Sequence, residues 1–325
     1  MIGRASCRER AFRIQTAPEA ESIANTPWWE VYKDPTLQEL IRTALKNNYD
    51  VRIAASRVEQ ARAVAAQALS YLYPSVGYQA GLSTGRNEFL GAASPNGGDN
   101  NSPALGALSA AWEIDLWGRI RRQNEQALAV LLATEEAKRG VILTLVADTA
   151  QAYFELLELD AQLEISVRTT ASFQESLNLF TFRLQGGAAS KLETSRAEAA
   201  LASTAATIPE IERQIILKEN QINVLLGRPP APVVRTAKLL DQIMPPDVPA
   251  GIPSELLERR PDILTAEAGV RAANAQVGVA QAQFFPRFGL TALFGKVSPD
   301  VSDLLKGSSN MWSLAGSLTG PIFTA

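Results

Sequence analysis

From Ile142 onward one series of residues recurs at a spacing of seven: Ile142, Thr149, Leu156, Leu163, Thr170, Leu177 and Leu184. A second series runs beside it through Leu145, Ala152, Leu159, Ser166, Phe173 and Phe180. Heptad spacing keeps one stripe facing a partner helix, so these positions predict a coiled-coil seam sustained for about six heptads. The stretch from Trp117 to Leu184 contains no proline and only Gly118 and Gly140 as glycines. At 1.5 Å per residue it would reach on the order of 100 Å, far beyond an ordinary globular helix, so it must project or bundle. Gln185-Gly186-Gly187-Ala188-Ala189 interrupts it, and Ser190 with Glu193 three residues later reads as a capping box that opens the next helix. That helix carries Leu201, Ile208, Ile215 and Ile222 at seven-residue spacing, flanked by Thr204, Ile211 and Leu225, and stops at Leu226-Gly227-Arg228-Pro229-Pro230. Pro209 removes a backbone donor and predicts a local bend. Thr149, Ser166, Thr170 and Thr204 read as register or packing devices within the seam.

Elsewhere the period drops to two. After Pro74, Val76, Tyr78, Ala80 and Leu82 alternate with Gly77, Gln79, Gly81 and Ser83; after Pro286, Phe288, Leu290, Ala292 and Phe294 alternate with Gly289, Thr291, Leu293 and Gly295. A loop rich in small and polar residues follows each run, and each loop leads to a second alternating run. The second runs are Leu108, Ala110, Trp112, Ile114, Leu116 and Leu314, Gly316, Leu318, Gly320, Ile322. The pattern predicts strands over about 75–86, 105–116, 287–296 and 311–322. Strands near ten residues with one apolar face and long polar loops have the dimensions of outer-membrane barrel strands. Four cannot close a barrel, because about eight are needed and an open edge in lipid leaves backbone groups unsatisfied. Several chains would have to pool their strands. Periodicity alone leaves a soluble sheet of two hairpins as the alternative. Trp112 and Trp312 fit either an interfacial belt or a packed core.

The two halves repeat one another. An offset of 212 positions aligns Asp50–Gly77 with Asp262–Gly289 without a gap, pairing Ala54 with Ala266, Val58 with Val270, Ala61 with Ala273 and Pro74 with Pro286. The unit is helix, strand, long loop, strand, helix, duplicated in the chain. Boundaries follow: 1–10 as a segment foreign to the fold, 11–35 as an N-terminal extended segment, 36–227 as the first repeat, 228–252 as a proline-rich connector, and 253–325 as an incomplete second repeat. In the first repeat the long helices cover about 117–184 and 190–226. By the repeat logic a second pair of long helices is expected after the fourth strand, so the chain reads as C-terminally truncated.

Composition narrows the function. The chain has 325 residues, no histidine and one cysteine, so histidine-based triads and zinc clusters of Cys and His are excluded by inventory. The formal net charge of -3 argues against a nucleic-acid binder that relies on an overall basic surface. No continuous run approaches the roughly 18–20 apolar residues of a membrane-spanning helix; the best, Val141–Ala147, stops after seven. Arg4, Arg8 and Arg10 lead into no apolar region, so the first residues are not read as a signal peptide, and Cys7 reads as an adventitious thiol. No acid/base pair stands out among Asp148, Glu155, Glu158 and Glu164, and no phosphate-binding glycine loop is present.

Specific stretches carry a family resemblance: AWEIDLWGRIRR (Ala111–Arg122), FRLQGGAASKLE (Phe182–Glu193), LLGRPP (Leu225–Pro230), PSELLERRPDILTAE (Pro253–Glu267) and the FFP of Phe284–Pro286. In these, over about Trp28 to Phe323, the chain resembles the outer-membrane factors of tripartite efflux systems, in particular the NodT/OprM branch of the TolC-like family. The resemblance implies a fold that is mainly α with membrane β. Long antiparallel coiled-coil helices would accompany two β-hairpins, which give four strands to a trimeric twelve-strand barrel in the bacterial outer membrane, above a helical tunnel through the periplasm. It implies a homotrimer receiving small molecules or drugs from an inner-membrane RND pump through a periplasmic adaptor, with no catalytic residue, cofactor or metal. The lipid anchor common in that branch is not carried over. A type I secretion channel for polypeptides is the alternative within transport, and a soluble coiled-coil scaffold the alternative of another class.

For Arg183, Leu184, Gln185, Gly186, Gly187, Ala188, Ser190 and Lys191 the resemblance implies an adaptor-docking tip; without it, a plain interhelical turn is the simpler reading. Val76, Tyr78, Leu82, Leu108, Trp112, Ile114, Phe288, Leu290 and Phe294 are the expected lipid face of the barrel strands. Arg119, Arg121 and Arg122 follow the second strand, where cations reach headgroup oxygens or simply open a solvated helix. Glu258, Arg259, Arg260 and Asp262 form either a charge network or ordinary surface pairs.

Overall fold

A computed structural model describes residues 34–86, 88–89, 92–93, 100–242 and 258–323. The readings placed on 1–33, Cys7 among them, on 94–99 of the first loop and on 243–257 lie outside the described residues. The chain divides into two units. One draws on the described parts of 1–51 and 142–253, the other on those of 52–141 and 254–325.

In the first unit, α1 (Pro35–Asn47) is opened by Asp34, whose carboxylate accepts from the amides of Thr36 at 2.8 Å and Leu37 at 3.3 Å, with Pro35 at a position whose N–H is not needed. Helix α2 (Tyr49–Ser70) follows after Asn48 alone. The Asn48 Oδ1 accepts from the amides of Asp50 and Val51, and its Nδ2 donates to the Leu225 carbonyl at 3.0 Å. Helix α3 (Arg119–Gln185) is 67 residues long, and every position of both predicted seam series is buried or half-buried along it. Thr149, Thr170 and Thr204 turn their hydroxyls onto the carbonyl four residues earlier, so their polarity is satisfied within the helix.

The returning limb is two helices, α4 (Lys191–Ala205) and α5 (Thr207–Leu225). The break at Ala206 lies three residues before Pro209, which thereby falls in the first turn of α5, where a missing N–H leaves no helical bond unmade. The core joins Leu37, Ile41 and Ala44 of α1, Leu145, Val146, Tyr153, Leu156 and Leu157 of α3, and Ile215 and Ile222 of α5, with Leu226 just beyond. Helix α3 contains an 18-residue window of mean hydropathy 1.3, long and apolar enough by length and composition to cross a membrane. That average is compatible with the short continuous runs of the sequence: alanines and neutral residues keep the mean high although charges interrupt the run, and 44% of the window is buried.

In the second unit, α2 from Arg52 onward buries Ala54, Val58, Ala61, Ala65 and Ala68, the start of α3 buries Ile120 and Ala129, and α6 (Pro261–Ala282) buries Ala268, Ala272, Ala275 and Ala282. Small side chains let these helices approach closely: a Cβ added at Gly278 of α6 would lie 2.9 Å from the Arg122 side chain of α3. The strands β1 (Ser75–Leu82), β2 (Ala104–Ile114), β3 (Arg287–Ser298) and β4 (Asn310–Thr319) form one antiparallel sheet in that order. Strand β1 is shorter than the alternation suggested; beyond it Gly85–Arg86 pairs separately with Asn100–Asn101. Strand β4 ends before Gly320-Pro321, where proline has no amide to continue the ladder, and β3 runs on to Ser298 because Val297 and Ser298 pair with Leu105 and Ala104.

Candidate membrane sheet and helical tip

Register decides which side chains share a face of the sheet. Tyr78, Leu108, Phe294 and Trp312 stand directly opposite one another across all four strands. Val76, Ala110, Ala292 and Leu314 form the neighbouring row, followed by Trp112 with Leu290 and by Ile114 with Phe288 and Leu318. Because side chains alternate, all nine expected lipid-face residues lie on this one face. Seven are exposed, and Ile114 and Phe288 are half-buried. Tyr78 is 86% exposed, Phe294 69% and Trp312 77%, a row of large apolar surface left uncovered among the described residues. The candidate set omits Trp312, Leu314 and Leu318, although their alternation is legible in the sequence. The opposite face carries Ser75, Gly77, Gln79, Ser109, Glu113, Thr291, Ser313 and Ser317, interrupted by Leu105, Leu293, Val297 and Met311.

Both helix-to-strand turns are latched by a tryptophan. The Trp112 Nε1 donates to the Leu72 carbonyl at 3.1 Å, just before Pro74. The Trp117 Nε1 donates to the carbonyl of Pro286 at 2.9 Å, and its ring stacks on Phe285 with centroids 4.5 Å apart. The three arginines that follow the second strand are engaged rather than free. Arg119 forks onto both oxygens of Glu113 at 2.9 and 2.8 Å, Arg121 pairs with Asp115 at 3.2 Å, and Arg122 with Glu125 at 2.6 Å. Asp115 also accepts from the amides of Ile120 and Arg121, which opens α3. Of the expected charge network at 258–262, Arg260 and Asp262 form an exposed pair at 2.7 Å.

At the far end of α3 the chain reverses through a Schellman turn: the Ala188 amide donates to the Arg183 carbonyl at 2.8 Å and the Gly187 amide to Leu184 at 3.0 Å, with Gly187 at φ +74°. Ser190 and Glu193 complete the capping box, the Ser190 amide donating to the Glu193 carboxylate at 2.7 Å and the Glu193 amide to Ser190 Oγ at 3.3 Å. Of the eight tip candidates, Leu184 is half-buried and Arg183, Gln185, Gly186, Gly187, Ala188, Ser190 and Lys191 are exposed. Phe182 and Leu192 flank them at 74% and 59% exposed. The tip candidates leave out both, although both lie in the stretch Phe182–Glu193 and stand outside the heptad seam as large apolar residues.

The connector is tied back onto the helices by charge. Arg235 forks onto Asp160 at 2.6 and 3.1 Å, and its other nitrogen donates to Glu219 at 2.6 Å and to the Val233 carbonyl at 2.8 Å, so one guanidinium clamps α3, α5 and the connector together. Lys218 of α5 donates to Glu155 of α3 at 2.6 Å, and that hydrogen bond with the one from Gln151 holds the Glu155 carboxyl below the ordinary range. Burial opposes ionisation of Asp34, yet hydrogen bonds from Tyr153 (2.7 Å), Gln242 (2.9 Å) and the Leu37 and Thr36 amides outweigh it and hold its pKa below 3.8. None of these partners was legible from spacing. Among the described residues no group of three or more Cys, Asp or Glu could hold a metal ion.

A four-stranded antiparallel sheet with one apolar and one largely polar face, joined to long paired helices, defines the chain as a subunit of the TolC-like outer-membrane channel class. It is similar, at 36% identity over 311 residues, to a probable efflux pump outer membrane protein, TtgC, of Pseudomonas putida, covering 94% of this chain and 63% of that relative. It is 38% identical over 298 residues to the solvent efflux pump outer membrane protein SrpC of Pseudomonas putida, covering 91% of this chain and 63% of the relative. The crystal structure of the open state of the MtrE outer membrane channel of Neisseria gonorrhoeae superposes with a TM-score of 0.82 at 30% identity, covering 96% of this chain and 69% of that one. The sequence profile of the outer membrane efflux proteins matches residues 40–228 and 252–325, and the chain belongs to that family. Its location is accordingly the outer membrane, and its family members are channel proteins rather than enzymes. A soluble scaffold is thereby set aside. The chain spans about 63% of the length of these curated relatives.

Proposed function

We propose that the chain is one of three subunits of a passive exit duct that carries small toxic molecules, of the kind named for its relatives, across the periplasm and outer membrane without bond chemistry of its own. The observation that carries the reading is the register of the sheet: an apolar face of aromatic and aliphatic rows, a largely small and polar face behind it, and two edge strands, β1 and β4, with unpaired backbone. In lipid such edges demand partners, and three copies of four strands close a twelve-strand barrel with the polar face inward.

In this reading the reversal at Gly186-Gly187 is the docking tip for a periplasmic adaptor that connects to an inner-membrane RND pump. Exposed backbone and the apolar pair Phe182 and Leu192 give such a partner both hydrogen-bonding groups and buriable area. Opening follows from that contact: an adaptor that binds the splayed helix pairs better than the closed ones shifts the duct toward open. Replacing Gly186 and Gly187 together with valine is expected to abolish drug resistance in an efflux-deficient host while outer-membrane trimers still form. Unchanged resistance removes the docking assignment, and the absence of trimers from outer-membrane fractions removes the duct.

A further inference from the structure

The polar face of the sheet carries a charge that no described residue balances. Arg287 opens β3 opposite Thr319 of β4, on the side of Gly289, Thr291 and Ser317 and away from Phe288 and Leu318 of the apolar face. It lines a depression of about 750 Å³ together with Ser75, Glu113, Arg119, Thr291 and Thr319. Glu113 is the nearest carboxylate by position on this face, and both of its oxygens are engaged by Arg119. Among the described residues Arg287 has no hydrogen-bond or ion-pair partner, unlike Arg119, Arg121 and Arg122 around the same junction. Lys296, the other cation of β3, lies on the opposite face and donates to the Leu305 carbonyl. The charge is also not a product of the duplication, since the position aligned with Arg287 in the first repeat is Ser75.

We propose that Arg287, once per subunit, forms a ring of unpaired guanidiniums at the helix end of the barrel lumen and favours the passage of small anions, carboxylates and halides among them. The proposal rests on the duct reading, which turns this face to the water-filled interior. Rings of cationic side chains select anions by raising their local concentration where the wall is narrow and of low dielectric. A membrane phosphate is the other anion a guanidinium could meet, but the register sets Arg287 on the face opposite the lipid-facing rows.

The experiment is a planar bilayer recording of the full chain in uncharged lipid under a potassium chloride gradient, comparing the native protein with Arg287→Gln and Arg287→Lys. The chloride-to-potassium permeability ratio is expected to fall about threefold in the glutamine variant, as removing three screened charges from the lumen wall would give, and to stay near native in the lysine variant. Conductance of native size with the same ratio in all three proteins overturns the assignment and leaves the duct standing. Loss of binding to anionic vesicles at an unchanged ratio overturns it too, by placing Arg287 against lipid. Absence of any conductance from the native chain overturns the duct and the proposal with it.

Discussion

Two glycines end the two long limbs with the same turn, and the structure predicts that they tolerate alanine very differently. Gly187 at φ +74° and Gly227 at φ +64° both occupy the left-handed position of a Schellman motif, and the Arg228 amide reaches the Asn223 carbonyl at 3.0 Å just as Ala188 reaches Arg183. A Cβ on Gly187 meets nothing within 4 Å, so Gly187→Ala incurs only the left-handed backbone cost of about 1 kcal/mol. A Cβ on Gly227 would sit 2.6 Å from the carbonyl oxygen of Asn47 and 3.1 Å from its carbon. That carbonyl ends α1, whose Ile41 and Ala44 are buried and whose cap Asn48 is bonded to Leu225, so it cannot yield cheaply. Overpacking of this kind adds about 1–3 kcal/mol, for a total near 3 kcal/mol. At about 2–4 °C per kcal/mol for a chain of this size, the Gly227→Ala melting temperature is expected to fall some 4–8 °C further than that of Gly187→Ala. Circular dichroism melts of the detergent-purified chain read both. Equal shifts, or a milder effect at Gly227, would refute the reasoning that the α5–α1 contact rather than the turn itself sets the cost.

The assignment of sheet faces predicts that Leu108→Arg, on the exposed apolar row, lowers barrel stability in liposomes by about 2–4 kcal/mol, whereas Ser109→Arg on the opposite face stays within about 1 kcal/mol. Urea titrations in lipid distinguish them, and equal effects would discard the face assignment. Tyr153→Phe removes one of the bonds that hold the folded Asp34 below its ordinary value. Asp34 therefore stabilises the native state above its unfolded pKa near 3.8 and ceases to as pH falls through the folded value. With the hydroxyl gone, the advantage is expected to shrink by about 1 kcal/mol and its loss on acidification, which still begins near the unfolded value, to be complete at a higher pH. Melting curves between pH 3 and 6 that overlay those of the native chain would exclude Tyr153 as the anchor.

Much of the candidate site could be read in advance because its rules are local. The alternation after Pro74 and Pro286 placed six of the lipid-face candidates, and the run after the first loop Leu108, Trp112 and Ile114, each set on one side of its own strand, since a strand has no other way to orient them. The glycines at 186, 187 and 227 with Ser190 and Glu193 marked both reversals through backbone conformation and capping alone. What spacing could not supply were pairings across distance. Arg235 meets Asp160 and Glu219 from 75 and 16 positions away, and Tyr153 meets Asp34 across 119.

The periods of seven and two, the turns between them and the internal duplication were properties of the amino-acid order itself, because each follows from the geometry of a single helix or strand. Which copy of a duplicated residue is buried was not. Val58 and Val270 align without a gap, yet Val58 is 6% exposed and Val270 69%. Their helices bury different stripes, Ala54, Val58, Ala61 and Ala65 in α2 but Ala268, Ala272 and Ala275 in α6. Burial depends on which neighbour arrives at which side of a helix, and that neighbour is chosen by the path of the whole chain.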